Sequence, residues 1–345
     1  IDTSDIIDTK SGVLSFYGRK VRDSKKGGYG KISAARAFEV SSNTALVQII
    51  NDSYKEYPER FVDGLFEMKI NESLGLPILG EGEPLFTHPT DKINWDGLDL
   101  PWMAFGYGIS LTPLQTLTFY NAIANDGVMV KPRFIKEVKY FDKIIEKFET
   151  EIISESVCSI ETVDIVKNMM KNVVEKEHGT AHNIYSKDFS MAGKTGTCQT
   201  EYWKSSGLYI SSFAGYFPAE NPKYSCIVVI HKPDKKKGYY GNIVAAPVFK
   251  EIAQKIYSNI PKTEFYNTKE FNLNQNQITQ KSISELENMI MPDISSYELM
   301  DIIPILENAG CKVEIEGKGN KVRQLVKPGT KLKKGQKIKI KLIWS

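Results

Sequence analysis

The sequence predicts an α+β fold, an antiparallel sheet flanked by helices, followed by a small second αβ unit. Three observations predict it. Helix-like stretches lie on both sides of a block of three strand-like runs. A segment rich in Asn, Gln, Lys and Thr, from Asn259 to about Lys281, separates that block from the rest and reads as a linker. At 345 residues the chain also exceeds the usual size of one domain.

From Gly30 to Lys55 the pattern is a loop feeding a helix. Ser41, Ser42 and Asn43 supply turn and N-cap residues, and Ala45, Leu46, Val47, Ile49 and Ile50 form the apolar run that follows. Asn71 to Asp99, rich in Gly, Pro and polar residues, reads as irregular loop. A second helix has Thr112 as N-cap, Pro113 at its first position and Leu114, Leu117 and Tyr120 facing inward; Asn125-Asp126-Gly127 stops it. Val163, Val166, Met169, Met170, Val173 and Val174 mark a third, ending near His178-Gly179. Strands are predicted around Met191–Thr200, Leu208–Tyr216 and Tyr224–Ile230, punctuated by Gly207, Pro218 and Pro222 as neighbouring antiparallel strands are. A helix from about Ala245 to Tyr257 follows, burying Val248, Phe249, Ile252, Ala253 and Ile256.

Beyond the linker, Ser295-x-x-Glu298 is a capping-box pattern, and a helix containing Pro304 runs towards Gly310. Lys312–Glu316 is a strand, and Pro328-Gly329 a turn. Lys337-Ile338-Lys339-Ile340-Lys341-Leu342 alternates as a half-buried strand does. From Gly317 to Ser345 there are nine Lys and one Arg but no acid. A solvated face on that strand is the preferred reading; the alternative is a cationic surface for an anionic polymer or a partner protein.

Composition narrows the function. Hydrophobic content of 41%, charged content of 25% and a net charge of +3 are those of an ordinary globular protein, with too little excess charge for bulk nucleic-acid binding. Cys158, Cys198, Cys226 and Cys311 are widely spaced and read as buried small hydrophobes, with no zinc or thioredoxin pattern. No residue set implies a metal or a cofactor. There is no apolar run long enough to span a membrane and no signal peptide. Residue 1 is Ile and the chain opens in mid-pattern, so the N-terminus reads as a truncation.

Two strings carry chemistry: Ser41-Ser42-Asn43 and, far downstream, Lys194-Thr195-Gly196-Thr197. They read as the second and third parts of a serine acyl-transfer site in which Ser-x-x-Lys supplies the nucleophile, Ser-x-Asn the relay and Lys-Thr-Gly the substrate-binding strand. No Ser in the chain has Lys three positions later. Acyl transfer also needs an oxyanion hole and a means of holding substrate in line. A lysine at 194 beside Ser41 favours proton transfer through that hydroxyl. Gly196 lets a substrate backbone approach, Thr195 and Thr197 share one face of the strand, and its edge can pair with an extended peptide. The Asn43 amide both donates and accepts.

Alone, each string is weak. Ser-Ser-Asn is usually a helix cap, and Lys10-Ser11-Gly12 is a near copy of the third motif in the wrong order, best read as a turn. Gly193-Lys194-Thr195 is not a phosphate-binding loop, because Asp188 stands where that pattern requires Gly. The ordered pair is far more specific.

With those strings the chain resembles the class B penicillin-binding proteins, monofunctional peptidoglycan transpeptidases. Phe38-Glu39-Val40-Ser41-Ser42-Asn43-Thr44 is similar to that family's second motif, and Gly106-Tyr107-Gly108-Ile109-Ser110-Leu111-Thr112-Pro113-Leu114-Gln115 to its stretch between motifs. Ala192-Gly193-Lys194-Thr195-Gly196-Thr197 and Phe213-Ala214-Gly215-Tyr216-Phe217-Pro218 resemble its central strands, and Val244-Ala245-Ala246-Pro247-Val248-Phe249 its closing helix. Met291-Pro292-Asp293 and Lys327-Pro328-Gly329-Thr330 resemble a PASTA domain.

The resemblance implies a penicillin-recognising transpeptidase domain over residues 1–258, lacking its N-terminal part, a linker over 259–285 and a PASTA domain over 286–345. It implies a serine D,D-transpeptidase that attacks D-Ala-D-Ala stem peptides and passes the acyl group to an amine, serving division or spore cortex synthesis. Ser41 would shuttle the proton, Asn43 bind the substrate amide, and Lys194 hold Ser41 and set the local potential. Thr195, Gly196 and Thr197 would bind substrate, the two threonines taking its terminal carboxylate and the Thr197 N–H serving as an oxyanion donor. The implied partners are peptidoglycan stem peptides, β-lactams and division or sporulation wall-synthesis proteins, with no nucleic acid. The implied location is the extracytoplasmic side of the cytoplasmic membrane, held by an N-terminal anchor outside these residues. The missing Ser-x-x-Lys would lie shortly upstream of Ile1, so the chain as given is expected to be inactive and not to be acylated by penicillin. Alternatives are a D,D-carboxypeptidase or β-lactamase-like hydrolase, or a non-catalytic binding or scaffolding module of a wall-synthesis complex.

Overall fold

The computed structural model describes residues 1–200, 208–259, 280–295, 299–318 and 321–343. Cα packing divides the chain into two units, Ile1–Ile260 and Pro261–Ser345.

The first unit is built on a three-stranded antiparallel sheet. Strand Ala192–Thr200 lies at one edge, Leu208–Phe217 in the middle and Tyr224–His231 at the other side. Pairing sets Lys194 opposite Ala214 and Thr197 opposite Ser211. Both faces of the sheet are covered by helices, as the patterning predicts. The described helices of this unit are α1 (Ala34–Glu39), α2 (Asn43–Tyr54), α3 (Pro58–Glu67), α4 (Asp99–Met103), α5 (Pro113–Ala124), α6 (Ile160–Glu175), α7 (Gly241–Val244) and α8 (Ala246–Asn259). Phe213 and Phe217 point to one face and pack with Phe249 and Ala253 of α8 and with Val173 and Val174 of α6. Tyr216 and Ala192 point to the other, against Ala122 and Ile123 of α5 and Met170 of α6. Period-two strands between amphipathic helices bury one side chain in two on each face.

Some local expectations differ from what is seen. The stretch before Ser41 is not all loop: it holds a strand, Lys31–Ser33, and α1, both too short for periodicity to show. On α5 the capping box of Thr112 and Gln115 is present, but Leu114, Leu117 and Tyr120 are only half-buried. The deeply buried side chains there include Gln115 and Thr118. Gln115 is satisfied by the Thr112 N–H at 2.7 Å and by the Gly82 carbonyl at 3.0 Å, and Thr118 by the Leu114 carbonyl at 2.9 Å. Val248, read as buried, is exposed at the surface of α8. All four cysteines are free; Cys311 is buried, whereas Cys198 is exposed rather than a core residue.

In the second unit α9 (Gln280–Glu287) and α10 (Leu299–Asn308) accompany a three-stranded sheet. Lys337–Ile343 is central, parallel to Lys312–Gly317 and antiparallel to Lys321–Gln324. Its alternation is as read from sequence: Ile338 and Ile340 are fully buried, and Lys337, Lys339 and Lys341 beside them are exposed. Lys337 pairs with Glu314 at 2.5 Å and Lys339 with Glu316 at 2.7 Å, a solvated ionic face. Helix α9 overlaps the end of the stretch read as linker, and Leu286 belongs to this unit's core. Asn259, where that stretch begins, closes α8; residues 260–279 and Glu298 of the capping-box pattern lie outside the described residues.

Candidate active site

The first motif sits on a tight corner between two helices. Helix α1 ends in a Schellman arrangement, with the Ser42 N–H donating to the Ala37 carbonyl at 2.9 Å and the Ser41 N–H to Phe38 at 3.1 Å. Ser41 fills the left-handed position normally given to glycine, with φ of 52°. For an L-residue that conformation costs roughly 1–2 kcal/mol. Ser42 then caps α2, its hydroxyl accepting from the Ala45 N–H at 3.2 Å. A single carboxylate fixes the corner: Asp23 accepts from the Ser42 hydroxyl at 3.1 Å, the Thr44 N–H at 2.9 Å and the Thr44 hydroxyl at 2.7 Å. Asn43 donates from Nδ2 to the Arg22 carbonyl at 2.8 Å, so its side chain is held in place as well.

The second motif lies on the edge strand. Lys194 Nζ donates to Ser41 Oγ and stands 5.4 Å from the centroid of the Phe38 ring. The ammonium is taken out of water there, and burial lowers its pKa from 10.5 to about 8. Two strings 153 residues apart thus meet through one hydrogen bond. Thr195 Oγ1 lies 3.1 Å from Thr180 Oγ1, and Thr197 Oγ1 accepts from the Gly241 N–H at 3.0 Å. Gly241 has no room for a side chain: a Cβ would fall 2.5 Å from the Ser212 carbonyl and 2.7 Å from that of Gly196.

The strand's outer edge also has a defined polarity. The Gln199 N–H points away from the neighbouring strand and donates to the Tyr107 hydroxyl at 3.1 Å. N–H groups two residues apart face the same edge, so that of Thr197 faces outward too.

A cavity of about 900 Å³ opens over both motifs. Ser41, Asn43, Lys194, Thr195, Gly196 and Thr197, all read from sequence as site residues, line it together. Sequence reading missed Thr180, which lines the same cavity, and the aromatic wall of Tyr107, Tyr209, Tyr239 and Tyr240. Tyr209 stacks on Tyr239 at 4.1 Å and Tyr239 on Tyr240 at 4.5 Å. The Tyr240 hydroxyl, hydrogen-bonded to Tyr239, has its pKa pushed up to about 12 and stays neutral. Asp23 was missed as well; its partners lie some twenty residues on, beyond any local pattern. Lys10-Ser11-Gly12 is a turn, closed by the Gly12 N–H on the Thr9 carbonyl at 2.8 Å. Among the described residues, no cluster of three or more His, Cys, Asp or Glu is arranged to hold a metal ion.

Residues 1–254 match the family model described as penicillin binding protein transpeptidase domain. The chain belongs to that family. Residues 289–342 match the PASTA domain. Among curated proteins, stage V sporulation protein D of Bacillus subtilis is 27% identical over 334 residues, covering 94% of this chain and 48% of that protein. PbpB of Mycobacterium tuberculosis is 31% identical over 254 residues, covering 70% of this chain and 36% of its own length. The chain thus spans about half, or less, of the curated relatives it matches. A crystal structure of penicillin-binding protein 3 from Mycobacterium tuberculosis is 28% identical with a TM-score of 0.62, covering 75% of this chain and 59% of that one. The same protein has been solved in complex with aztreonam and with ampicillin.

Proposed function

We propose that these residues form the larger part of the catalytic region of a peptidoglycan D,D-transpeptidase that is also a target of β-lactams. The observation that carries the reading is the bond from Lys194 to Ser41, which joins the two motifs on the floor of one cavity. The 345 residues contain no Ser-x-x-Lys, so the attacking serine belongs to a further segment of the same gene product, seated against Ser41 and Asn43.

In this reading the nucleophile attacks the D-Ala-D-Ala carbonyl of a stem peptide lying along the outer edge of the Lys-Thr-Gly strand. The Thr197 N–H, facing that edge, serves as one oxyanion donor; a donor of this kind is typically worth about a hundred- to a thousandfold in rate. The proton lost by the attacking hydroxyl passes through Ser41, fixed by its backbone and by Lys194, to the D-Ala nitrogen that leaves as the C–N bond breaks. The Lys194 charge and the Thr195 and Thr197 hydroxyls take the peptide's terminal carboxylate, and Asn43 the amide. The acyl group then passes to an acceptor amine.

The gene product would act on the outer side of the cytoplasmic membrane, among the proteins of a wall-synthesis complex. Similarity to a relative named for sporulation spans 94% of the chain and both units, which favours a sporulation role over division. The PASTA domain favours a synthase over a carboxypeptidase or β-lactamase, which need no such unit.

The test is turnover of a synthetic stem pentapeptide by the full-length gene product. Wild type should release D-Ala, and Lys194→Ala and Ser41→Ala should each reduce kcat/KM about a hundredfold or more. Undiminished release in both variants would refute the reading.

A further inference from the structure

Glu39, only 6% exposed, is the buried carboxylate of the described residues, and nothing in the acyl-transfer scheme uses it. It is the last residue of α1, two positions before Ser41. Its Oε2 lies 2.6 Å from His178 Nε2, and its Oε1 accepts from Asn172 Nδ2 at 2.8 Å. Its main-chain carbonyl accepts from the Thr180 N–H at 3.1 Å. Thr180 in turn lies against Thr195, hydroxyl to hydroxyl at 3.1 Å, on the cavity wall.

The loop carrying His178 and Thr180 is therefore tied to both motif segments. It is also tied to the last turn of α6, through the Ala181 N–H on the Val173 carbonyl at 3.0 Å. Gly179 makes that approach possible, since a Cβ there would sit 2.3 Å from the Val173 oxygen. Burying a carboxylate is costly unless it is hydrogen-bonded, and even then it contributes little net stability compared with apolar residues of the same size. What the pair adds is direction. Two charge-assisted bonds fix Glu39 in rotation and depth, and with it the corner that presents Ser41.

We propose that Glu39, His178 and Thr180 form a positioning clamp that sets the spacing between Ser41 and the Lys-Thr-Gly strand. In this clamp Glu39 and His178 are positioning residues. Thr180 orients the Thr195 hydroxyl and adds a polar group on the substrate side of the cavity. The proposal rests on the acyl-transfer reading above.

The test follows β-lactam acylation of the full-length gene product, resolved into an encounter dissociation constant and a first-order acylation step. Acylation by the wild type must be seen first, and its absence would refute the acyl-transfer reading rather than the clamp. His178→Ala should slow the acylation step about ten- to a hundredfold, the range expected for a misplaced group, with little change in the encounter constant. His178→Gln retains a donor towards Glu39 and should recover most of the rate. Thr180→Val, nearly isosteric and on the cavity wall, should also slow acylation. It carries the test if His178→Ala does not fold. An acylation step within twofold of wild type in folded His178→Ala or in Thr180→Val would overturn the proposal, as would His178→Gln no faster than His178→Ala.

Discussion

Lys194 shows how one residue can oppose the stability of the fold that positions it. Its ammonium is withdrawn from water beneath Ser41 and Phe38, and its pKa falls from 10.5 to about 8. Below pH 8 the lysine is protonated whether the chain is folded or not. Between about pH 8 and 10.5 the unfolded chain holds a proton that the folded chain has released, so stability rises with pH across that window. The same shift means that keeping the charge at neutral pH costs up to about 3 kcal/mol. Lys194→Met should therefore make the protein more stable at pH 7 in urea unfolding, and the advantage should shrink to nothing by about pH 10.5. A variant less stable at pH 7, or a difference independent of pH, would contradict this. At this scale the sequence named residues that line one cavity, because the two strings are contiguous. It did not show Asp23, Glu39, His178 or Thr180. Their partners lie from about fifteen to 139 residues away, and a lone acid or histidine carries no local pattern that names its partner.

Among elements, the contact between α7 and the Lys-Thr-Gly strand leaves no room for a side chain at Gly241. The Gly241 N–H reaches Thr197 only because its Cα lies against two carbonyls. Gly241→Ala should push α7 outward, break that bond and slow β-lactam acylation of the full-length gene product about tenfold or more. Overpacking of this kind should also cost about 1–3 kcal/mol of stability. Gly64→Ala in α3, where a Cβ would meet nothing, is the control and should be neutral or stabilising by up to about 1 kcal/mol. Equal acylation by both variants would show that the close approach is not required. The three strands of the first unit's central sheet and helices α2, α5, α6 and α8 were legible from periodicity; helix α3 and the short strands, such as Lys321–Gln324, were not. The buried face of α5 was not, because polar Gln115 and Thr118 find their hydrogen bonds within and beside the helix and can be buried as readily as leucine. The short α1, which presents Ser41, was hidden by its length.

Across the whole molecule, each unit has a core of its own. That of the second unit is small, gathered from Leu286, Ile294, Ile302, Leu306, Ile338 and Ile340 with a few neighbours. A core of this size supplies only about 3–5 kcal/mol, and truncating a buried isoleucine to alanine removes about 2–5 kcal/mol. Ile340→Ala should thus unfold the second unit near 37 °C and leave the melting of the first unchanged. Calorimetry would show one transition lost and one unmoved; a shift of both by the same amount would show that the units unfold together. Cα packing divides the chain at Ile260, beside the start of the polar stretch read as a linker, and α9 begins inside that stretch, since a helix with few apolar residues resembles a linker in composition. The central claim is that these motifs form a penicillin-recognising site completed by a serine outside the 345 residues, and intact mass before and after benzylpenicillin tests it most directly. The account predicts no mass gain on a polypeptide of these residues, one penicillin on the full-length gene product and none on its Lys194→Ala variant in the same time. A stoichiometric adduct on the 345 residues alone, or none on the full-length product, would contradict it.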